Sequence, residues 1–340
     1  MINPDRASSL IFSGVRFREL VAVAGSFVTA VSGVPTITHA GAGMAEPHLP
    51  EELAPIFGAA CAVLQEHIKR VESGCSVEIP STTLAAGVDF DNTLLHTEDA
   101  HRQSIRATAE SLFGIPGVRL LDETFANFGS CFGIRELDSF SEVVRVMELE
   151  FPGIFQRTRI PDEHCYPSPE ELRAMRLKIF KRDFDRYQIP EVAGARDLLG
   201  RLHSAGLLVQ LVTSSGEELV RHCLDQARLD HFFHDCVFAE HVGELAKPDP
   251  YPYLLGAKRL ELAPARGDCV AFEDSVTGTV AALLAGRTSY VRPSFESAEE
   301  FRDNLARKLG MQVAAGKLAL EDLSPVYIVD SWEQVAVAPR

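Results

Sequence analysis

The sequence is poor in basic residues and has no paired cysteine motif. Lys and Arg number 33 against 48 Asp and Glu, which gives a formal net charge of −15. Broad nucleic-acid binding needs a basic footprint, so this charge argues against it. The seven cysteines are scattered, without a Cys-x-x-Cys pair. This pattern predicts reduced, mostly buried thiols of a cytosolic protein.

A long apolar run is also missing, which bears on the N-terminal region. The apolar stretch at residues 20–34 is too short and too polar for a convincing membrane span. Two arginines before it and small residues after it resemble an export signal, whereas Glu19 at its start argues against one. An N-terminal extension packed on the domain is therefore favoured. The prediction is a cytoplasmic protein, with export as the alternative.

The centre of the chain is a short apolar run that ends in acidic residues. Residues 84–88 are apolar or small, and Asp89, Asp91 and Thr93 follow them. Such a run predicts a buried strand of a parallel sheet, and ligands collect at the C-terminal ends of those strands. Carboxylate and hydroxyl oxygens are hard ligands that suit Mg²⁺. An apolar surround would make Asp89 a candidate nucleophile and Asp91 a candidate proton shuttle.

Of three other interpretations of the two acids, two stay open and one is excluded. An Asp-x-Asp pair is common in solvated loops, and glycosyltransferases carry a metal-binding Asp-x-Asp. An EF-hand is excluded because Leu94 stands where that loop needs Gly and Ala100 stands where it needs Glu. The rest of the chain has to decide between the remaining interpretations.

The remaining chain predicts an α/β protein with a helical insertion. Residues 51–72 have helical spacing, and residues 96–187 are predicted helical, most clearly at 107–113, 141–149 and 168–187. Strands are then predicted at 207–212, 236–238, 269–272, 289–291 and 326–330. Helices are predicted at 192–205, at 253–260 and from Ser331 onwards, and residues 294–323 are predicted to be a polar helical insertion.

Polar groups follow several of these predicted strands. Thr213, Ser214 and Ser215 precede a helix, where backbone N–H groups and the helix dipole favour an anion. Lys247 lies in a Pro-rich loop, and Glu273-Asp274 ends another apolar run. Each feature alone has an ordinary explanation, since hydroxyls cap helices and loop lysines are usually solvated. The whole set of polar groups, in this order after apolar strands, is not expected by chance.

Together these stretches resemble the haloacid-dehalogenase-like superfamily, in its phosphatase and phosphomutase branch. The resemblance covers roughly residues 83–292 plus the last strand. The matching stretches are Asp89-Phe90-Asp91-Asn92-Thr93-Leu94, Leu211-Val212-Thr213-Ser214-Ser215, Lys247-Pro248-Asp249-Pro250 and Phe272-Glu273-Asp274-Ser275. The resemblance implies a Rossmann-like parallel-sheet core at 81–95 and 190–340 with an all-helical cap at 96–189. Residues 1–80 remain an N-terminal extension of unknown function.

The resemblance also implies roles for the acidic residues. Asp89 would attack phosphorus to give an aspartyl-phosphate, and Asp91 would protonate the leaving oxygen and then activate water. Mg²⁺ would be bound by the Asp89 carboxylate, by the backbone carbonyl of Asp91 and by Asp274. Glu273 would be a ligand or support one.

Further residues would bind the substrate. Thr213, Ser214 and Lys247 would hold the phosphoryl oxygens. Arg135, in the predicted cap, is a candidate for binding the rest of the substrate, and its alternative is a surface arginine. Asn92 stands where the family more often has Gly, and Asn tolerates unusual backbone angles.

These residues favour one function over two alternatives. An acid at Asp91 points to cleavage of a P–O bond, which predicts a Mg²⁺-dependent phosphatase for a small phosphorylated metabolite. The first alternative is a phosphomutase of the beta-phosphoglucomutase type, which would keep the same residues. The second is a catalytically idle binding module, which would be expected to lose one of the acids or Lys247. No nucleic-acid partner and no membrane span are predicted.

Overall fold

A seven-stranded parallel sheet forms the centre of the molecule. The computed structural model describes residues 11–12, 15–16, 54–113, 169–187, 189–262, 268–314, 316 and 318–338. The strands are β1 (Ile11–Phe12), β2 (Val15–Arg16), β3 (Ile68–Arg70), β4 (Val77–Ile79), β5 (Ala85–Val88), β6 (Leu208–Val212), β7 (Asp235–Val237), β8 (Cys269–Glu273), β9 (Thr288–Val291), β10 (Val326–Ile328) and β11 (Val335–Val337). The central sheet has the order β3-β10-β9-β8-β5-β6-β7.

Helices connect these strands, as expected for parallel neighbours. The α-helices are α1 (Ala54–His67), α2 (Glu98–Phe113), α3 (Pro169–Asp183), α4 (Ala195–Ser204), α5 (Glu217–Ala227), α6 (Ala239–Val242), α7 (Tyr251–Arg259), α8 (Val276–Leu284) and α9 (Ala298–Ala314). Short 3₁₀ helices lie at Phe184–Arg186, Asp230–Phe232, Gly243–Leu245, Leu320–Asp322 and Trp332–Gln334. The sheet and its helices confirm the predicted α/β fold with a Rossmann-like core.

The strand that precedes the two acids lies inside the sheet. β5 pairs with β6 on one side and with β8 on the other, and all four of its residues are buried. A strand covered on both faces explains its apolar and small side chains. The C-terminal ends of β5, β6 and β8 therefore meet at one edge of the sheet.

Apolar side chains cover both faces of the sheet. Along β10, Val326 and Ile328 pack in one cluster with helices α1, α8 and α9, whereas Tyr327 packs against the other cluster. The second cluster holds Trp332 and residues of α4 and α5. Because side chains alternate along a strand, these two clusters lie on opposite faces.

The N-terminal part of the described chain differs from its prediction. The helix predicted at 51–72 ends at His67, and residues Ile68–Arg70 form an edge strand parallel to β10. Pairing of Ile68 with Val326 in the sheet outweighs the helical spacing. β4 likewise pairs with β11. Both strands fall within the predicted extension at 1–80, and the domain boundaries remain a prediction.

Two helices outside the resemblance pack on each other. The helix predicted within 294–323 is α9, and α1 lies against it. Gly310 of α9 makes this approach close, because a Cβ there would lie 2.8 Å from the Cys61 Sγ atom and 3.3 Å from the Phe57 ring. The two segments that the family motifs leave unexplained thus form one packed layer.

The helix predicted from Ser331 onwards is wrong. The structure has one 3₁₀ turn at Trp332–Gln334, and the strand β11 follows. The side chain of Ser331 accepts a hydrogen bond from the Glu333 N–H at 3.2 Å, which starts the turn. The β-branched residues of β11 then pair with β4, which ends the helical geometry.

Two helices bound the predicted cap at 96–189. α2 begins at Glu98, earlier than the segment predicted at 107–113, and α3 matches the segment predicted at 168–187. The two helices pack against each other. The helix predicted at 141–149 and the candidate substrate residue Arg135 lie outside the described residues.

Two features bear on the predicted compartment. Five of the seven cysteines lie in the described part of the chain, all as free thiols: Cys61, Cys75, Cys223, Cys236 and Cys269. No helix among the described residues is long and apolar enough to cross a membrane. The apolar stretch at 20–34 lies outside these residues.

Candidate active site

A tight turn after β5 positions the two acids. The Asp89 N–H donates to the Phe272 carbonyl at 3.0 Å, which extends the pairing of β5 with β8. Asn92 then has a φ of 54°, a left-handed conformation that Asn adopts more readily than most residues. Its N–H donates to the Leu95 carbonyl at 2.7 Å and closes the turn. Asn92 is therefore compatible with the turn at a position where the family more often has Gly.

A buried lysine links two acids at the centre of this edge. The Lys247 Nζ atom donates to Asp89 Oδ1 at 2.7 Å and to Glu273 Oε1 at 2.6 Å. Its third hydrogen bond goes to the Val212 carbonyl at 2.8 Å. All three hydrogens of the ammonium group are thus used, and Glu273 is completely buried. The lysine connects the ends of β5, β6 and β8.

The burial of these charges shifts their pKa values. Burial would lower the pKa of Lys247, but Asp89 and Glu273 outweigh it and hold that pKa well above its usual range. Burial raises the pKa of Asp89 to about 7, against the opposing effect of Lys247 and with help from the charges of Glu273 and Asp91. The carboxyl groups of Asp89, Glu273 and Asp91 outnumber the one ammonium group of Lys247, so the site has an excess of negative charge.

Three carboxylates of this cluster could bind a metal ion together. Oxygen atoms of Asp89, Glu273 and Asp274 all lie within 4.8 Å of one another. Burial, together with the charges of Asp89 and Glu273, raises the pKa of Asp274 well above its usual range. The Ser294 hydroxyl donates to Asp274 Oδ2. Within the described part of the chain, Glu273 Oε2 is buried and has no hydrogen-bond partner.

This donor set fits Mg²⁺. Carboxylate oxygens are the ligands that Mg²⁺ prefers, and a divalent cation would relieve the excess of negative charge. Glu273 Oε1 accepts from both Lys247 and Tyr253, whereas in the ranges that the structure describes Asp89 Oδ1 and Asp274 Oδ2 each accept from one donor, so this oxygen of Glu273 is the least available of the three. The arrangement therefore favours Asp89 and Asp274 as ligands, with Glu273 supporting them.

The side chain of Asp91 points to a separate group of donors. Its Oδ1 accepts from the Thr97 hydroxyl at 2.6 Å and contacts His101 Nε2 at 3.0 Å, and its Oδ2 accepts from the Ser215 hydroxyl at 2.5 Å. Burial would raise the pKa of Asp91, but the hydrogen bond and charge of His101, together with the hydroxyls, lower that pKa to about 2. The structure thus holds Asp91 as an ionised carboxylate, the form that a general base requires.

An arginine of the predicted cap fixes the orientation of His101. The Arg176 guanidinium contacts His101 Nδ1, and its Nε donates to the Ser104 hydroxyl at 2.9 Å. With Nδ1 against the Arg176 guanidinium, Nε2 is the ring nitrogen that faces Asp91. Arg176 is buried, at 3% exposure. Two of the three donors to Asp91 therefore belong to the predicted cap, and one belongs to the core.

The structure brings most of the predicted site residues to this edge. Thr213 is buried, and its hydroxyl accepts from the Ser215 N–H at 3.0 Å at the start of the loop before α5. Ser214 is half-buried in the same loop. These two residues and Lys247 follow or contact the end of β6, as the strand pattern predicts.

Several residues of the site were not predicted from the sequence. They are Thr97, His101, Arg176, Tyr253 and Ser294. None of them follows a strand directly in the way that the predicted acids do. The signal that could have found Thr97 and His101 is their place at the start of the helix that follows the Asp pair.

Comparisons with known proteins agree with this geometry. A family model for haloacid dehalogenase-like hydrolases matches residues 84–286, more than half of the chain. Protein CbbY of Cereibacter sphaeroides is 28% identical over 247 residues, which cover 69% of this chain and 95% of that protein. Hexitol phosphatase A of Escherichia coli (strain K12) is 38% identical over 100 residues, which cover 29% of this chain and only 44% of that protein.

A solved structure shows the same fold. The crystal structure of CbbY from Rhodobacter sphaeroides in complex with phosphate matches with a TM-score of 0.53 and 21% identity, covering 74% of this chain and 95% of that one. The chain belongs to the haloacid dehalogenase-like hydrolase family, whose model matches more than half of it. The family consists of hydrolases, and several of the relatives that this chain matches are named as phosphatases.

Proposed function

We propose that the chain hydrolyses the phosphate monoester of a small metabolite, with Mg²⁺ as cofactor and Asp89 as nucleophile. The observation that carries this proposal is the pairing of Asp89 with Lys247 beside two further buried carboxylates. Asp91 lies two residues on, in a separate set of hydrogen bonds. Candidates for a nucleophile, for a cation that holds the phosphoryl group and for a proton carrier thus lie together.

In the first step, an oxygen of Asp89 attacks phosphorus and the bond from phosphorus to the ester oxygen breaks. The leaving oxygen takes a proton from Asp91, and the phosphoryl group stays on Asp89 as an acyl phosphate. Thr213 and Lys247 hold the phosphoryl oxygens, for which Lys247 redirects one of its three hydrogen bonds. Mg²⁺, held by Asp89 and Asp274 with Glu273 in support, would neutralise negative charge on the phosphoryl oxygens.

In the second step, Asp91 acts as a base. Its carboxylate takes a proton from a water molecule, whose oxygen attacks phosphorus and releases Asp89 and inorganic phosphate. The hydrogen bonds from Thr97, His101 and Ser215 support the ionised form that this step needs. The first step needs the protonated form, so one of these donors has to give way beforehand.

The proposed substrate is small because the site is enclosed. Asp89, Asp274 and Lys247 are each at most 7% exposed, and helices of the predicted cap reach Asp91 through His101. The relatives include an enzyme named for hexitol phosphates, which supports a small phosphorylated metabolite. The free thiols support a cytoplasmic location.

The direct test measures phosphate release from a panel of small phosphate esters. We expect turnover that requires Mg²⁺ and that falls to background in Asp89→Asn, because an amide cannot act as the nucleophile. Asp330→Asn is the matched control, since Asp330 is an exposed acid in an ion pair with Arg70 and should leave turnover unchanged. Equal turnover in the chain and in Asp89→Asn would exclude Asp89 as the nucleophile.

Metal binding has a test that does not depend on turnover. We expect saturating Mg²⁺ to raise the thermal unfolding midpoint, because a ligand at 100 times its Kd stabilises the folded state by about 2.7 kcal/mol. Asp274→Asn should remove most of this increase, whereas Asp330→Asn should keep it. Differential scanning fluorimetry with and without Mg²⁺ measures both. An unchanged increase in Asp274→Asn would show that the ion binds elsewhere.

A further inference from the structure

Tyr253 contacts the buried charges without a part in the proposed reaction. Its hydroxyl donates to Glu273 Oε1 at 2.5 Å, the same oxygen that accepts from Lys247. Tyr253 is completely buried on α7. Its hydroxyl is thus one of two donors, among the described residues, that fix a carboxylate which is itself inaccessible to solvent.

The packing around the Tyr253 ring fixes the place of its hydroxyl. Gly87 of β5 lies against the ring, where a Cβ would be 2.9 Å from the Tyr253 Cε1 atom. The Arg287 Nη2 atom donates to the Tyr253 carbonyl at 2.7 Å, and its guanidinium lies 5.2 Å from the ring centroid. The Lys247 ammonium lies 5.3 Å from the same centroid. The ring therefore cannot shift without moving β5 or a buried cation.

This arrangement makes the position of Lys247 depend on Tyr253. Lys247 is shared between Glu273 and Asp89, so the strength of its contact with Glu273 affects its contact with Asp89. Two donors on one carboxylate oxygen share its lone pairs and its negative charge, so each is attracted less strongly than a single donor would be. Loss of the tyrosine hydroxyl would leave Lys247 as the one donor that the structure shows on this carboxylate. The lysine would then be held closer to Glu273 and further from the phosphoryl group.

We propose that Tyr253 is a positioning residue, which holds Glu273 so that Lys247 reaches Asp89 and the phosphoryl oxygens. The proposal rests on the proposed function, because it assigns to Tyr253 an effect on phosphate binding. Tyr253 does not touch the reacting atoms in this scheme. It acts through Glu273 and then through Lys247.

The experiment uses Tyr253→Phe, which keeps the ring and removes only the hydroxyl. We expect KM for the best ester and the Kd of inorganic phosphate with Mg²⁺, measured by calorimetry, both to rise about tenfold. That is the low end for loss of a hydrogen bond to a charged group. kcat should fall less than KM rises, because the nucleophile and Asp91 are unchanged.

Tyr290→Phe is the matched control. Tyr290 is also buried, and its hydroxyl donates to the Glu78 carbonyl at 3.2 Å, away from the charged cluster. This variant should lose stability but keep KM and phosphate affinity. A second readout is the double variant Tyr253→Phe/Glu273→Gln, in which the tyrosine change should add little to the glutamine change if both act through one path.

The outcomes separate the two proposals. An active chain whose Tyr253→Phe variant keeps KM and phosphate affinity, and loses only as much stability as Tyr290→Phe, would overturn the positioning role alone. Fully additive effects in the double variant would also overturn it. A wild-type chain that cleaves no ester and binds no phosphate would overturn the proposed function, and the positioning role with it.

Discussion

Replacing Lys247 by Met is expected to abolish phosphate release and to lower the free energy of unfolding by about 3–5 kcal/mol. The reason is that Glu273 is completely buried and would lose its charged partner, while Asp89 would lose the same cation. Methionine keeps an unbranched apolar stem that is one atom shorter than lysine, so the loss of stability and activity is due mainly to the missing charge. Urea unfolding and phosphate release measure the two effects.

A second substitution separates the structural effect from the catalytic one. Adding Glu273→Gln to Lys247→Met removes the completely buried one of the two uncompensated charges, so the double variant should regain part of the lost stability and still be inactive. Arg70→Met is the control, because Arg70 and Glu299 form an exposed ion pair that contributes at most about 1 kcal/mol. A Lys247→Met variant as stable as Arg70→Met would contradict the buried network.

The residues that sequence predicts well are those next to strand ends. Asp89, Thr213 and Asp274 each follow a buried strand, and parallel strands bring their C-terminal ends to one edge. Local pattern and one general rule of topology are enough to place such residues. The fold class is predicted in a similar way, because alternating strands and helices indicate a parallel sheet.

The residues that sequence misses depend on packing between distant segments. Tyr253 reaches Glu273 from a helix twenty residues earlier, and Ser294 reaches Asp274 from a loop twenty residues later. Nothing in the spacing of these residues distinguishes them from ordinary core or loop residues. Ile68 shows the same limit in secondary structure, since its apolar spacing continues that of α1 while its pairing with Val326 makes it a strand.

Gly278→Ala is expected to reduce kcat/KM by at least about 100-fold, the cost of misplacing a catalytic group by roughly 1 Å. Gly278 lies in the first turn of α8, where a Cβ would overlap the Glu273 carboxylate. The carboxylate would be pushed away, and Lys247 would follow it because the two form a buried ion pair. Steady-state kinetics on the best ester measure the loss.

The same substitution tests whether sterics or helix propensity decides the stability. Alanine is preferred over glycine in a helix by about 1 kcal/mol, whereas overpacking a core costs about 1–3 kcal/mol. At Gly278 the overlap involves a completely buried charged group, so we expect net destabilisation. At Gly200 in α4 a Cβ would meet no atom within 4 Å, so Gly200→Ala should stabilise the protein and leave turnover unchanged. If both variants gained stability and kept activity, the close contact between α8 and Glu273 would have no role in placing Lys247.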